Sequence, residues 1–351
     1  GKEAYVGQTL DISTRMSQHK ANPDKARFTR AHFIYSDHSN QSMAFDYESQ
    51  LIALMSADET FTLTNKNSGI VGASYYNRDI YNDKFRMLWA ELQNKHLVQH
   101  TIEEIEQSDL FKYSPYKKLT TDQRNVVSTL IQHLRVDRKQ IMLIQGMPGS
   151  GKTVVAVYLF KLLRDSPEFI ALKMALVIPQ TSLRDSLKKL FKSISGLSAS
   201  DVIGPIDVAS NHYDILMVDE AHRLKTRHNL ANYSTFDRAS KKMGLDGDVT
   251  QLDWIIKQTD CPILFYDTDQ TVITSDISAD DFQKTINDQF YNRMRTFYTL
   301  CTQMRCKGGN DYINFVKKLV KGREDSRGQF PNYTLKLVTD FKKFDDKYRE
   351  V

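Results

Sequence analysis

The chain reads as an α/β protein in two parts, a small α/β unit followed by a larger one built on a parallel sheet with helices on both faces. Three observations predict this. Short apolar runs recur at 141–144, 175–178, 214–218 and 262–265, each too short to be a helix and too apolar to be a surface strand. Amphipathic helical stretches alternate with them, as a parallel sheet needs for its crossovers. Each run ends in polar or acidic residues, the pattern of an open α/β sheet that binds its ligand at the carboxyl edge.

The chain is organised around residues 146–153, GMPGSGKT. These fit G-x-x-x-x-G-K-[ST], with Gly146, Gly151, Lys152 and Thr153 at the fixed places. The glycines of the loop, Gly146, Gly149 and Gly151, let successive backbone N–H groups turn inward around a phosphate chain, and Pro148 and Ser150 complete the nucleotide-binding loop. The helix that follows points its positive end at the same anion. Lys152 is expected to reach the β- and γ-phosphates of ATP, and the Thr153 hydroxyl to hold Mg²⁺. Before the loop lies the apolar run Ile141-Met142-Leu143-Ile144. After it lies a helical stripe of Val154, Val155, Val157, Leu159 and Leu162 that ends near Ser166-Pro167.

Composition bounds the rest. At 351 residues there is room for about two domains. Hydrophobic content of 40% and charged content of 26% suit a globular protein. No apolar run approaches the roughly 18 residues a bilayer requires, so no membrane partner is expected. Three cysteines without a CxxC pair suit a reducing cytosol, hence a cytoplasmic location, and argue against a disulfide scaffold or zinc site. A net charge of +5 permits a nucleic-acid partner without demanding one.

In the first hundred residues, Ala4 to Gly7 read as the end of a strand. Asp11 or Ser13 can cap a helix carrying Arg15 and His19 on one face. Residues 31–35 (AHFIY) read as a strand, 45–55 as a helix with Glu48 near its start, and 85–97 as a last helix. Residues 101–118 pass from Glu103, Glu104 and Glu106 to Lys112, Lys117 and Lys118 across Ser114-Pro115, which reads as a solvated connector.

Past the connector, Thr120 or Thr121 can cap a helix carrying Gln123, a candidate adenine reader some twenty to thirty residues before the phosphate loop. The strand at 175–178 leads into Pro179-Gln180-Thr181-Ser182, suited to phosphates of a single strand, and a helix with Arg184, Lys188, Lys189 and Lys192. The strand at 214–218 delivers Asp219-Glu220-Ala221-His222. Asp219 is placed to hold Mg²⁺ through water, and Glu220 to orient and deprotonate the attacking water. The strand at 262–266 ends in Asp267, with Gln270 as a γ-phosphate sensor. The strand at 296–300 runs into Gln303-Met304-Arg305, where Arg305 can stabilise charge on the phosphoryl group.

In order, Gln123, GMPGSGKT, PQTS, DEAH, DTDQ and QMR resemble the motifs of superfamily 1 helicases, whose ATPase lobes are RecA-like. IGPIDV at 203–208, DEAHRL at 219–224, TQLDW at 250–254 and QMRCKGGNDY at 303–312 are more closely similar to the Schlafen-type helicase-like ATPase family. The resemblance covers 119 to roughly 320 and implies ATP hydrolysis coupled to DNA or RNA, with DNA the first candidate.

The N-terminal segment resembles a GIY-YIG nuclease domain. Tyr5-Val6-Gly7 stands for the second half of the signature, Arg15 for the helix arginine, Glu48 for the metal-binding glutamate and Asn77 for a late asparagine. The resemblance implies Mg²⁺ or Mn²⁺ on Glu48, Arg15 facing a phosphate, Tyr5 or a nearby base activating water, and His19 assisting proton transfer. The first half of the signature has no counterpart, and it is expected before residue 1. The 46 residues after Arg305 fall short of the hundred or so a second helicase lobe needs, so the chain reads as a fragment of a longer protein.

The resulting map is a GIY-YIG-like domain at 1–100, a linker at 101–118, a RecA-like first lobe at 119–310, and the start of an incomplete region at 311–351. The expected function is a nucleic-acid-dependent ATPase fused to an endonuclease domain, serving defence or repair. The competing expectation is a nucleotide-gated switch or scaffold whose first domain binds nucleic acid without cutting it.

Overall fold

The computed structural model describes residues 2–35, 40–65, 78–116, 119–267, 274–288, 294–301, 309–320, 322 and 330. The first part holds strands β1 (Glu3–Ala4) and β2 (Thr62–Leu63). Helices α1 (Ile12–Ala21), α2 (Pro23–Ala26), α3 (Gln41–Asp58), α4 (Arg78–Asn94), α5 (Ile102–Gln107) and α6 (Asp109–Lys112) accompany them. The second part opens with α7 (Thr121–Val136), β3 (Gln140–Gly146), α8 (Lys152–Asp165), β4 (Met174–Val177) and α9 (Thr181–Ser193). It continues with β5 (Val202–Ile203), β6 (Tyr213–Val218), α10 (Tyr233–Lys242), α11 (Gln251–Lys257) and β7 (Thr259–Tyr266), then α12 (Ala279–Asp288), β8 (Met294–Leu300) and α13 (Gly309–Val320).

The larger sheet has six strands in the order β5-β4-β6-β7-β3-β8, and every pairing is parallel. Strand residues alternate between two cores, as the two-residue period of a strand requires. Met142, Ile144, Leu176, Met217 and Ile263 face one side with Val127 and Leu130 of α7, Val155 and Leu159 of α8, and Leu187 and Phe191 of α9. Ile141, Leu143, Val177, Leu216 and Leu264 face the other with Leu252 and Ile255 of α11 and Phe282 and Ile286 of α12. Apolar residues on both faces are why these strands read as continuous apolar runs. The chain leaves β3 for β4, three places away in the sheet, while β8 closes on the other side of β3. The phosphate loop therefore leaves the sheet beside a point where the strand order reverses.

Helix starts follow local chemistry. Asp11 accepts from the Thr14 N–H and caps α1, and Asn40 accepts from the Met43 N–H and caps α3. Thr120 and Gln123 form a capping box at α7, and Thr101 and Glu104 form another at α5.

Two local expectations are corrected. Residues 31–35 form no strand, because they join no ladder. Among the described residues the small sheet pairs β1 with β2, and 31–35 is not a member of it. Residues 101–116 are no loose connector either. They form α5 and α6, with Ile102 and Ile105 buried against α3 and α4, and Tyr116 is only 3% exposed in the sheet's core. Ile52 and Leu63 from the first hundred residues lie in that same core, and Leu63 bridges to Ile194 just past α9. Among the described residues, no helix is long and apolar enough to cross a membrane.

Candidate nucleotide site and N-terminal cluster

The carboxyl edges of β3, β6 and β7 bring the principal candidate residues together. Gly146 ends β3, and Pro148, Gly149 and Ser150 make the turn. Gly151 sits at φ +84° as the N-cap of α8, a conformation a side chain would strain. A Cβ at Gly146 would stand 2.4 Å from Ser150 Oγ and 3.3 Å from Lys152 Cγ, so the loop folds back on a bare backbone.

Lys152 is 5% exposed, and its Nζ donates to the Gly146 carbonyl at 2.7 Å and the Met147 carbonyl at 3.4 Å. The same nitrogen lies 3.9 Å from Asp267 Oδ2 at the end of β7. Thr153 Oγ1 donates to Asp219 Oδ2 at 2.6 Å. Asp219 is fully buried at the tip of β6, and its other oxygen, Oδ1, has no hydrogen-bond partner among the described residues. Burial and then the Glu220 charge push the Asp219 carboxyl above its ordinary range, against the Thr153 hydrogen bond and the Lys152 charge.

An unsatisfied, buried carboxylate oxygen beside a threonine hydroxyl and a buried lysine fits a hydrated divalent cation with a polyphosphate. Among the described residues, no group of three His, Cys, Asp or Glu side chains gathers around a metal position. Mg²⁺ keeps several waters and takes its remaining ligands from substrate phosphates.

Glu220 occupies the left-handed region at φ +50°. Its burial would raise the carboxyl. The contact with His222 and the charges of His222, Lys152 and Arg223 outweigh that and hold it low. His222 Nε2 stands 3.1 Å from Glu220 Oε2, but its alignment is too poor for a hydrogen bond, so the contact is mainly electrostatic. His222 Nδ1 accepts from the Asp267 N–H at 3.1 Å, which fixes the proton on Nε2 when the ring is neutral. His222 thus ties the end of β6 to the end of β7.

Gln123 is buried and engaged at both ends of its amide. Its Oε1 accepts from the Thr120 N–H at 3.0 Å, and its Nε2 donates to the Ser150 carbonyl at 2.9 Å. It braces the phosphate loop through one acceptor and one donor position of the amide. Arg184 turns inward and donates to the Ile178 carbonyl at 2.9 Å, whereas Lys189 and Lys192 are exposed on α9. Gln270, Arg305 and Asn77 lie outside the described residues.

The N-terminal candidates also converge. Arg15 Nη2 donates to the Tyr5 hydroxyl at 3.4 Å, and His19 meets the Tyr5 ring edge-on with centroids 5.4 Å apart. Lys25 Nζ sits 3.5 Å from the centroid of that ring, a cation–π contact. Half-buried Glu48 feels the same group. Burial raises its carboxyl, while Arg15, the Gln8 N–H and Lys25 pull the other way. An open hollow lined by Gln8, Thr9, Asp11, Thr14, Arg15 and Gln18 adjoins the cluster.

Three members of these sites were not picked out as functional in the sequence. Asp267 sat at a strand tip as Asp219 does, and that position was its signal. His222 was visible only as a letter of DEAH. Lys25 had no local signal, since it reaches Tyr5 through the α1–α2 turn.

A glycine-loop lysine and threonine facing a strand-end aspartate on a parallel sheet define a helicase-like P-loop nucleotide-binding domain. Residues 139–351 match the Schlafen group 3, DNA/RNA helicase domain family, and the chain belongs to that family. Comparison with curated proteins gives no match. Solved structures similar to the chain include the Pif1 helicase from Candida albicans, at 15% identity over 62% of this chain and 46% of that one, with a TM-score of 0.32. Unliganded Pif1 from Bacteroides sp is 15% identical over 60% and 47%, with a TM-score of 0.30. AMPPCP-bound DnaA from Aquifex aeolicus is 13% identical over 62% and 57%, with a TM-score of 0.29. The chain spans about half the length of the two Pif1 structures.

Proposed function

We propose that the chain is the ATP-hydrolysing part of a nucleic-acid-remodelling enzyme, joined to an N-terminal site of the GIY-YIG nuclease type. The observation that carries the first half is the Thr153–Asp219 hydrogen bond at 2.6 Å, with Lys152 buried beside it and Oδ1 of Asp219 unsatisfied. Thr153 and Asp219 would hold Mg²⁺. When bound, that ion would supply positive charge shared between the β- and γ-phosphates. Lys152 would leave the Gly146 and Met147 carbonyls for the phosphate oxygens. Glu220, held ionised, would orient the attacking water and receive its proton. Gln123 would brace the loop and read adenine, with Gln270 and Arg305 completing a superfamily 1 site as γ-phosphate sensor and charge stabiliser. Nucleic acid is the partner, with DNA ahead of RNA.

The second half rests on the meeting of Tyr5, Arg15, His19 and Glu48. Arg15 would face the scissile phosphate, Glu48 would hold Mg²⁺ or Mn²⁺, and Tyr5 or His19 would move the proton. The map of 1–100, 101–118, 119–310 and 311–351 is kept, with 101–118 as a brace between the two parts.

ATP turnover measured with and without single-stranded DNA tests the first half. Stimulation by DNA, lost in Glu220→Gln while ATP binding persists, is the expected result. Equal rates with and without DNA favour the nucleotide-gated switch instead. Labelled DNA and RNA incubated with Mg²⁺ or Mn²⁺ test the second half. Cutting that persists in both Glu48→Ala and Arg15→Ala removes the nuclease assignment.

A further inference from the structure

Residues 33–35, Phe-Ile-Tyr, are exposed one after another, with Phe33 at 59%, Ile34 at 52% and Tyr35 at 79%. Single exposed apolar residues are ordinary, but three in a row on a segment that joins no helix or ladder among the described residues call for a function. The run is next to a concentration of positive charge. From Arg15 to His32 the sequence carries Arg15, Lys20, Lys25, Arg27 and Arg30 against Asp24 alone. Lys25 and Arg27 bind this stretch to the N-terminal cluster, the first over the Tyr5 ring and the second paired with Glu3 of β1 at 2.9 Å. Arg30 and His32 are exposed beside the aromatic pair.

Cations that follow a phosphate backbone, next to solvent-exposed aromatic rings, are the chemistry that holds single strands. A protein strand would use the apolar run but gain little from the excess of positive charge beside it. A duplex would use the charges but keep its bases stacked away from Phe33 and Tyr35. We propose that residues 25–35 form a single-strand nucleic-acid surface, with Phe33 and Tyr35 stacking on unpaired bases and Lys25, Arg27 and Arg30 following the backbone into the Tyr5–Arg15 cluster. This rests on the reading above that the chain acts on nucleic acid. It adds the strandedness of the substrate and the residues that select it.

The two native tryptophans, Trp89 and Trp254, are 2% and 0% exposed, so a tryptophan placed at position 33 reports on its own surroundings. In the full chain carrying Phe33→Trp, oligothymidylate quenches the exposed emission and a blunt duplex of equal length does not. Phe33→Ala and Tyr35→Ala each weaken oligothymidylate binding about 5-fold to 100-fold, whereas Tyr35→Phe keeps it, as stacking demands. Arg30→Ala flattens the salt dependence by about 0.7 in log–log slope, one phosphate contact on a single strand. Unchanged binding in both alanine variants, with no quenching, overturns the surface, including the case in which a protein strand covers it. ATP turnover separates the two readings. Stimulation by oligothymidylate with unaltered alanine variants refutes the surface alone. Absent stimulation, with binding lost in those variants, refutes the motor and leaves the surface standing.

Discussion

The Thr153 hydroxyl donates to Oδ2 of Asp219 at 2.6 Å, joining two residues 66 positions apart at the edge of one sheet. The other oxygen of that carboxylate, Oδ1, is buried and finds no hydrogen-bond partner among the described residues. Thr153→Ala removes that bond, and with it one donor to a hydrated magnesium ion. Affinity for a fluorescent ATP analogue in Mg²⁺ is expected to fall about 10-fold to 100-fold, with Thr153→Ser close to the parent. Binding is measured in Mg²⁺ and in EDTA. An equal loss in both would show that the hydroxyl acts without the metal.

Gly146 is set by its neighbour. A Cβ there meets Ser150 Oγ at 2.4 Å, with Leu300 Cβ and Lys152 Cγ both at 3.3 Å. Gly146→Ala therefore forces the Ser150 hydroxyl aside and crowds Lys152. A cost of about 1–3 kcal/mol is expected, together with lost nucleotide binding. Ser150→Ala clears the shortest contact. In that background the same glycine substitution should cost less, a non-additive pair in thermal unfolding. Strict additivity would mean that Ser150 is not the obstacle.

The sequence displayed what local rules control. The apolar runs at 141–144, 175–178, 214–218 and 262–265 are strands because both faces of the sheet are covered, and the glycine loop follows the first of them. It misled where partners decide. Residues 31–35 have the residue types of a strand, yet β-propensity reflects packing on a neighbour, and they join no ladder. The charges of 101–118 suggested solvent, while Ile102, Ile105 and Tyr116, the residues that bury, were the better guide. The bond from the Asp267 N–H to His222 spans 45 positions, and the Lys25–Tyr5 contact depends on a turn, so neither had a spacing to be read from.

Continuity of the core across residue 118 has a measurable consequence. Ile52 of α3 is wholly buried, in one cluster with Leu63, Tyr116, Leu190 of α9 and Met142 of β3. Ile52→Ala opens a cavity shared by both parts of the chain, at a cost of about 2–5 kcal/mol. Calorimetry should show one unfolding transition, shifted as a whole. Two transitions, with only one displaced by Ile52→Ala, would show that the N-terminal part melts on its own.

His19 offers a test of the N-terminal cluster that needs no activity. Its ring packs on Tyr5, and burial, then the charge of Lys25, then that of Arg15, lower its pKa below the usual 6.5. All three disfavour the imidazolium, so the ring is neutral at pH 7 and takes up its proton only at lower pH than an ordinary histidine. Removing a cation must move the midpoint upward, because the charged form loses a repulsion. Lys25→Ala should therefore raise the His19 midpoint, followed through its ring protons by NMR, and Lys25→Arg should leave it near the parent value. Added salt should raise the parent midpoint as well, since screening weakens the same repulsion, and should move the Lys25→Ala midpoint less. A midpoint indifferent to Lys25 would place that ammonium away from the cluster, and the cation over the Tyr5 ring would no longer help gather phosphate at this site.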